Sequence, residues 1–561
     1  FFFKKTGQTS PFGARAISGI SVLPSIEYQL ALWALRDKCK LFSALRNDME
    51  KEVIRANIVV FIASFCTLVI ELVAGRILAP YIGVSLYTWT SIIGVVLAGI
   101  SVGAYLGGLL ADRRPTHATL GWLLFLSGLG AFSIPPVTNL AGNIDLQTSL
   151  MVRTLFITSI IFFVPSCLLG MISPVVVKLT LNNLSQTGNV VGRIYAFSTL
   201  GSILGTFATG FFLISWMGTR PILFLMGAIL IASGAIFGGF LIRRKLLTLL
   251  FGLIIALAVS FYGYAFRLDL DDETYFFTES NYYTIKVKKK DSEINVARLE
   301  ALVLDHLIHS YTDLGNPFHL EYEYIRIYEE LVEMCLDGKE SFKALFIGGG
   351  GYTFPRYLEA KYPGAQIDVV EIDPEVTRVA ETFLGIGKEG RIRTFNQDAR
   401  WFAMNCREIG SYDFIFGDAF NDLSIPFHLT TQEFAILLKR LLKPDGLLFA
   451  NVIDSFSKGL FLPSYMRTLE KPFGKRNVHL VTTDSEFNDM GTSTYVVMAS
   501  SGSLDPQDFK HDEDNRLCHI MPQDLLQGYL EERSPIILTD DYVPVDNLIA
   551  PVFEERFGYR R

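Results

Sequence analysis

The stretch Ala344–Asp373, ALFIGGGGYTFPRYLEAKYPGAQIDVVEID, decides the fold of the C-terminal half of this chain. A short apolar run, Ala344 to Ile347, enters four consecutive glycines, Gly348, Gly349, Gly350 and Gly351. A helix-compatible segment comes next, and a second apolar run, Ile367 to Ile372, carries Glu371 near its end. The order is strand, turn, helix, strand. Glycine suits the junction because the backbone must turn sharply there and pack close to a bound nucleoside with no Cβ in the way. An acidic residue at the second strand's tip suits a ribose diol, whose two hydroxyls can both donate to one carboxylate. The rival reading is a tight turn in some other α/β protein, and the residues beyond the turn weigh against it.

Further short apolar runs lie at Arg391 to Phe395, Tyr412 to Gly417 and Gly446 to Val452, interleaved with helical patterns such as Thr431 to Leu442. Near-continuous apolar strands buried on both faces are what a parallel sheet requires, so the spacing predicts a Rossmann-like, doubly wound α/β domain of methyltransferase type. In such a sheet ligands sit outside the carboxyl ends of the strands. Glu371, Asp398, Asp418 and Asp422 fall there and form one acidic cluster, although Asp398, just ahead of a helix, equally suits an N-cap. Upstream, Tyr282 to Lys290 and Ala297 to Ile308 read as strands of a small antiparallel β unit joined by the polar turn Lys290 to Glu293.

Composition separates this half from the rest. The chain has 561 residues, 50% of them hydrophobic, and a mean hydropathy of +0.33, too long for one domain and too apolar on average for a soluble enzyme. Nearly all long apolar runs precede Arg267 and nearly all dense charge lies after it. Seven candidate spans of about 20 residues are predicted near 57–78, 87–110, 118–137, 154–176, 194–216, 221–242 and 246–266. Gly99, Gly103 and Gly107 share one face of the second, a surface for close helix packing. Glu71 lies inside the first span and needs a partner or a wet cavity; Arg76 is a candidate, as is snorkelling of Arg76 at the helix end. The domain reading is therefore an N-terminal extension of no assigned role over 1–48, a multi-pass α-helical membrane domain over 49–267, a small β unit over 268–335, and the Rossmann-like domain over 336–561. Arg113 and Arg114, Lys178 and Arg193, and Arg243 to Lys245 fall in alternate loops on the side of the N-terminus. The positive-inside rule puts that side in the cytoplasm, and seven spans then place the soluble half outside the cell membrane, whereas a nucleoside-dependent enzyme wants the cytoplasm. A net charge of −7 speaks against a nucleic-acid partner and suits a cationic substrate. Six cysteines without a CxxC pair indicate neither a disulfide framework nor a metal site.

IGGGG (347–351), VVEID (369–373), QDAR (397–400), FGDAF (416–420) and FHLTTQEF (427–434), in this order and spacing, resemble the spermidine synthase (polyamine aminopropyltransferase) family. ELVAGRILAPYIGVSLYTWTSIIG (71–94), with the apolar half around it, resembles that family's membrane-fused branch. The resemblance implies transfer of an aminopropyl group from decarboxylated S-adenosylmethionine to an amine or polyamine such as putrescine, with release of methylthioadenosine. By position it makes Gly348 to Gly351, Glu371, Asp398 and Ala399 the nucleoside site, with Glu371 on the ribose and Asp398 on the adenine amino group. Asp418 would be the base and Tyr322, in LEYEYIR, would assist it; Asp422, Glu323 and His309 would face the acceptor. An alkylamine is mostly protonated at neutral pH, so a desolvated carboxylate that accepts its proton near a sulfonium leaving group supplies general-base catalysis. This sequence departs from the pattern at Gly351, where an Asp is usual, at Tyr283 and His309, where Gln is common, and in the spacing of Asp418 and Asp422. Those departures keep open intact S-adenosylmethionine as donor and a different amine or a lipid as acceptor. GGLLADRR (107–114) resembles a loop signature of major-facilitator transporters, which keeps a transport or non-catalytic membrane subunit as a further alternative. The bilayer and a small amine are the expected partners, and a homo-oligomer is compatible with the sequence.

Overall fold

The computed structural model describes residues 25–83, 85–142, 150–181, 187–239, 252–253, 256–257, 273–336, 338–387, 390–419, 425–487, 491–502 and 517–557. The N-terminal half is a helical bundle of α1 (Ser25–Ile82), α2 (Leu86–Arg113), α3 (His117–Gly142), α4 (Leu150–Gly170), α5 (Ile172–Thr180), α6 (Thr187–Ala208), α7 (Ile214–Met217) and α8 (Thr219–Phe237). Six helical stretches among the described residues are long and apolar enough to cross a membrane: Lys51–Ile82, Leu86–Arg113, His117–Ala141, Met151–Thr180, Thr187–Met217 and Thr219–Phe237. Most of the seventh expected span, 246–266, lies outside the described residues. Within it, Leu253 and Ala256 belong to the apolar cluster around Phe125 and Phe132 of α3.

The glycine face of α2 lies against α4. A Cβ added at Gly103 would stand 2.1 Å from the carbonyl oxygen of Cys167, so the two backbones touch where no side chain intervenes. One end of the bundle gathers Asp112 and Lys178, paired at 2.8 Å, with Glu52, His117 and Gly239. The other gathers Tyr81, whose hydroxyl donates to Asn139 Oδ1 (2.9 Å), with Leu86 and Thr219.

The C-terminal half docks on this second end. Glu279 Oε2 accepts the Thr219 N–H at the start of α8 (2.8 Å), where the helix dipole favours a carboxylate. Asp546 Oδ2 accepts the Leu86 N–H (2.8 Å), and Tyr87 donates to Asn547 Oδ1 (2.9 Å). Arg76, a candidate either for pairing with Glu71 or for snorkelling at the helix end, donates to the carbonyls of Ser280 and Asn281.

The β unit has four antiparallel strands in the order β1 (Thr274–Glu279), β2 (Thr284–Asp291), β3 (Arg298–Leu304) and β4 (Leu307–Thr312). The single strand expected over Ala297 to Ile308 divides at Asp305, whose φ of 55° makes a two-residue hairpin between Leu304 and Leu307. After α9 (Glu323–Leu336) comes an eight-stranded sheet of order β12-β10-β11-β9-β8-β5-β6-β7. Five strands are parallel, as the glycine-turn unit predicts: β5 (Lys343–Ile347), β6 (Gln366–Glu371), β7 (Ile392–Asn396), β8 (Tyr412–Gly417) and β9 (Leu442–Ser455). Beyond β9 the sheet turns antiparallel through β10 (Val478–Thr482), β11 (Thr492–Ser500) and β12 (His519–Ile520), which makes it mixed. α10 (Thr353–Lys361) and α11 (Pro374–Phe383) join α9 on one face, over a stack in which the Phe346 and Phe416 ring centroids are 4.5 Å apart. α12 (Ala399–Asn405), α13 (Gln432–Leu441), α14 (Phe461–Phe473), α15 (Gln523–Arg533) and α16 (Val545–Phe557) cover the other. Two closed faces leave the carboxyl ends of β5 to β8 as the open edge.

Candidate active site

The glycine turn closes over the end of β8. Gly348 has φ +98°, and a Cβ there would stand 2.5 Å from the carbonyl oxygen of Asp418, so a side chain would force the ends of β5 and β8 apart. The Gly348 N–H donates to Val370 O and the Asp418 N–H to Ile347 O, both at 2.9 Å. This tie brings Glu371 and Asp418 to one place. Glu371 is 6% exposed; its Oε2 accepts the Gly349 N–H (2.8 Å) and its Oε1 the Asp373 N–H (2.9 Å). Desolvation raises its pKa and those N–H groups oppose the rise, holding a carboxylate whose remaining lone pairs can take a diol. Asp398 caps α12, accepting the Trp401 N–H on Oδ1 (2.9 Å), while His428 Nε2 meets Oδ2 at 2.9 Å. Capping and site membership thus coexist in one side chain.

Two adjoining cavities meet here. The first, about 160 Å³, is lined by Gly348, Gly350, Glu371, Asp398, Ala399 and His309, with Tyr282 and Tyr283 across from them. The second, about 620 Å³, is lined by Tyr322, Tyr324, Asn451 and Thr492 to Thr494. Asp418, Gly350 and His309 belong to both. Asp418 accepts from Asn451 Nδ2 on Oδ1 (2.9 Å) and from the Tyr324 hydroxyl on Oδ2 (3.1 Å). Desolvation carries its pKa up to about 6, against the pull of both donors.

Several expected residues stand elsewhere. Tyr322 lines the second cavity, but its hydroxyl donates to Ile308 O (2.6 Å), and Tyr324 makes the contact expected of it with Asp418. Tyr322 precedes α9, whereas Tyr324 shares the buried helix face of Ile327, Tyr328 and Leu331. That helical spacing was the available signal for Tyr324; Asn451, deep in a long strand, offered none. Glu323, expected at the acceptor, is solvent-exposed in the first turn of α9 and lines neither cavity. Asp422 lies outside the described residues. Gly349 holds Glu371 through its N–H, and Gly351 faces β4, where a Cβ would stand 1.8 Å from Ser310 Oγ.

Residues 326–483 match the family model described as the spermine/spermidine synthase domain. Over that segment the chain is similar to spermine and spermidine synthases. A polyamine aminopropyltransferase from Vibrio vulnificus is 38% identical over 135 residues, 23% of this chain and 45% of its own length. A polyamine aminopropyltransferase 2 from Aquifex aeolicus is 24% identical over 426 residues, 73% of this chain and 82% of its own. The second alignment is longer than everything after Glu273, so it runs into the helical half. Among solved structures, a probable spermidine synthase from Corynebacterium glutamicum is 20% identical, with a TM-score of 0.41, over 48% of this chain and 97% of its own. The span matched to the spermidine synthase domain contains Glu371, Asp398 and Asp418 but begins after His309, Tyr322 and Tyr324.

Proposed function

We propose that the protein transfers an aminopropyl group from decarboxylated S-adenosylmethionine to a small amine, releasing methylthioadenosine. The observation that carries the reading is Asp418, a desolvated carboxylate shared by two cavities, one suited to a nucleoside and one open to an acceptor. Glu371 would take the ribose hydroxyls and Asp398, oriented by His428, the adenine edge. In the second cavity an ammonium gives its proton to Asp418, and the freed nitrogen lone pair attacks the methylene carbon bonded to the sulfonium. The new C–N bond forms as the C–S bond breaks, and sulfur keeps the electron pair as neutral methylthioadenosine. A base whose pKa is lifted toward neutrality fits this step better than an ordinary surface carboxylate. Incubating the detergent-purified protein with labelled donor and putrescine tests the reading: methylthioadenosine and an aminopropylated product are expected, and release of neither would overturn it.

Intact S-adenosylmethionine is the second donor reading, favoured by Gly351. The acid usual at this position in the family pattern is here a glycine, and its Cβ direction runs to Ser310 and away from both cavities, so no carboxylate at 351 meets the donor's terminal group. The repulsion such an acid would exert on the carboxylate of intact S-adenosylmethionine is then missing. Competition between the two nucleosides for the wild-type protein decides between them.

For placement, we read the basic loops as cytoplasmic. Lys178, Arg113 and Arg114 lie at the bundle end away from the β unit, which supports a reading with the α/β domain on the opposite side of the membrane.

A further inference from the structure

Arg76 lies in the last turns of α1, within the first membrane-crossing stretch, yet its guanidinium leaves the bundle. Nη1 donates to Asn281 O (2.6 Å) and Nη2 to Ser280 O, so one planar fork grips two consecutive carbonyls of the turn between β1 and β2. Glu279, Asp305 and Asp373 surround the charge. The same turn carries Tyr282 and Tyr283, which wall the first cavity. Its shape depends on Ser280, whose Oγ accepts the N–H groups of Tyr282 (3.0 Å) and Tyr283 (2.9 Å) and donates to Asp373 Oδ2. Asp373 in turn caps α11 through the Glu375 N–H (2.9 Å) and gives its own N–H to Glu371. An unbroken run of hydrogen bonds therefore joins a membrane helix to Glu371, the carboxylate assigned to the ribose.

We infer that Arg76 is a positioning residue for the nucleoside site, setting the Tyr282–Tyr283 wall and the Glu371 carboxylate through Ser280 and Asp373. The bundle is then part of the site's frame as well as an anchor. A guanidinium fork holds a turn in one geometry because both donors are fixed in one plane; an ammonium at the same place is a single point and holds it less well. The inference rests on the nucleoside reading of the first cavity.

The test uses the full chain in detergent and methylthioadenosine as probe, measured by calorimetry, with hydrogen exchange tracked in peptides across 278–285. Arg76→Ala is expected to weaken binding about tenfold, the scale of a lost charge-assisted hydrogen bond. Exchange at the Tyr282 and Tyr283 amides should rise while β5 to β9 stay protected. Arg76→Lys should recover part of the affinity. Ser280→Ala breaks the next link from the β-unit side and should reproduce the loss, and the double variant should lose little more than either single one. Asp546→Ala, which cuts a separate tether at Leu86, should bind as the wild type does. Unchanged affinity in Arg76→Ala, or additive losses in the double variant, would overturn the inference while wild-type binding keeps the nucleoside reading. A wild type with no affinity for methylthioadenosine would remove both.

Discussion

The proposed reaction needs Asp418 without its proton, and its pKa of about 6 lies within reach of ordinary assay conditions. The raised folded value fixes the sign: kcat/KM should be high above about pH 6 and fall below it as the carboxyl protonates and ceases to accept from the amine. Asp418→Asn keeps the shape and cannot take the proton, so turnover should drop about 100-fold or more with methylthioadenosine binding nearly intact. The two tyrosines separate in the same experiment. Tyr324 donates to the ionised carboxylate, so Tyr324→Phe removes support for the charged form and should move the acid limb to higher pH. Tyr322 spends its hydroxyl on Ile308 O, and Tyr322→Phe should leave the limb where it is. A limb moved by Tyr322→Phe alone would reverse the assignment.

Where α2 meets α4, Gly103 leaves no room for a side chain. In a bilayer, lipid tails are as apolar as the helices, so helix association depends on close packing, and a Cβ at Gly103 would stand 2.1 Å from Cys167 O. Gly103→Val has no room without separating the helices and should destabilise the bundle by about 1–3 kcal/mol. Gly94, on the same helix, has open space where its Cβ would be, so Gly94→Val should be close to neutral and serves as the control. Thermal unfolding in detergent compares the two, and equal melting temperatures would show that the contact carries no such weight. In the C-terminal half, the loop that carries His428 is locked in a similar local way: Arg400 Nη1 reaches Asp540 Oδ1 (2.7 Å) and His428 O (2.9 Å), holding His428 beside Asp398. Asp540 thereby supports the site, and the guanidinium that binds it lowers its pKa.

Over the whole molecule, Gly239, just past α8, shares a cavity with Glu52 and His117, whereas β1 reaches the opposite end of the bundle with its last residues, Phe277 and Glu279, beside Arg76 and Thr219. Leu253 and Ala256, which lie between the two in the chain, pack beside α3. Six helical stretches among the described residues are long and apolar enough to cross a membrane, and the side on which the α/β domain stands is open to direct test. In cysteine-free background, Glu340→Cys on the α/β domain should react with an impermeant maleimide on intact cells and Thr116→Cys between α2 and α3 should not. The reverse pattern would place the enzyme site in the cytoplasm and make the loop charges the exception.

The sequence alone determined the two-part division, the parallel half of the sheet and the set Glu371, Asp398 and Asp418, because hydropathy and strand-turn-helix spacing are local and acids at strand tips are counted along the chain. It also placed the glycine stripe of α2 on one face, since helical periodicity is local too. What only the tertiary structure decided depends on contacts between distant segments. Tyr324 takes the place next to Asp418 because α9 begins after Tyr322 and turns its buried face to the sheet. Gly351 faces Ser310 rather than the cavity because β4 packs on the turn. Arg76 reaches the β unit because the C-terminal half docks 204 residues later in the chain on that end of the bundle, and no pattern in either segment names the other.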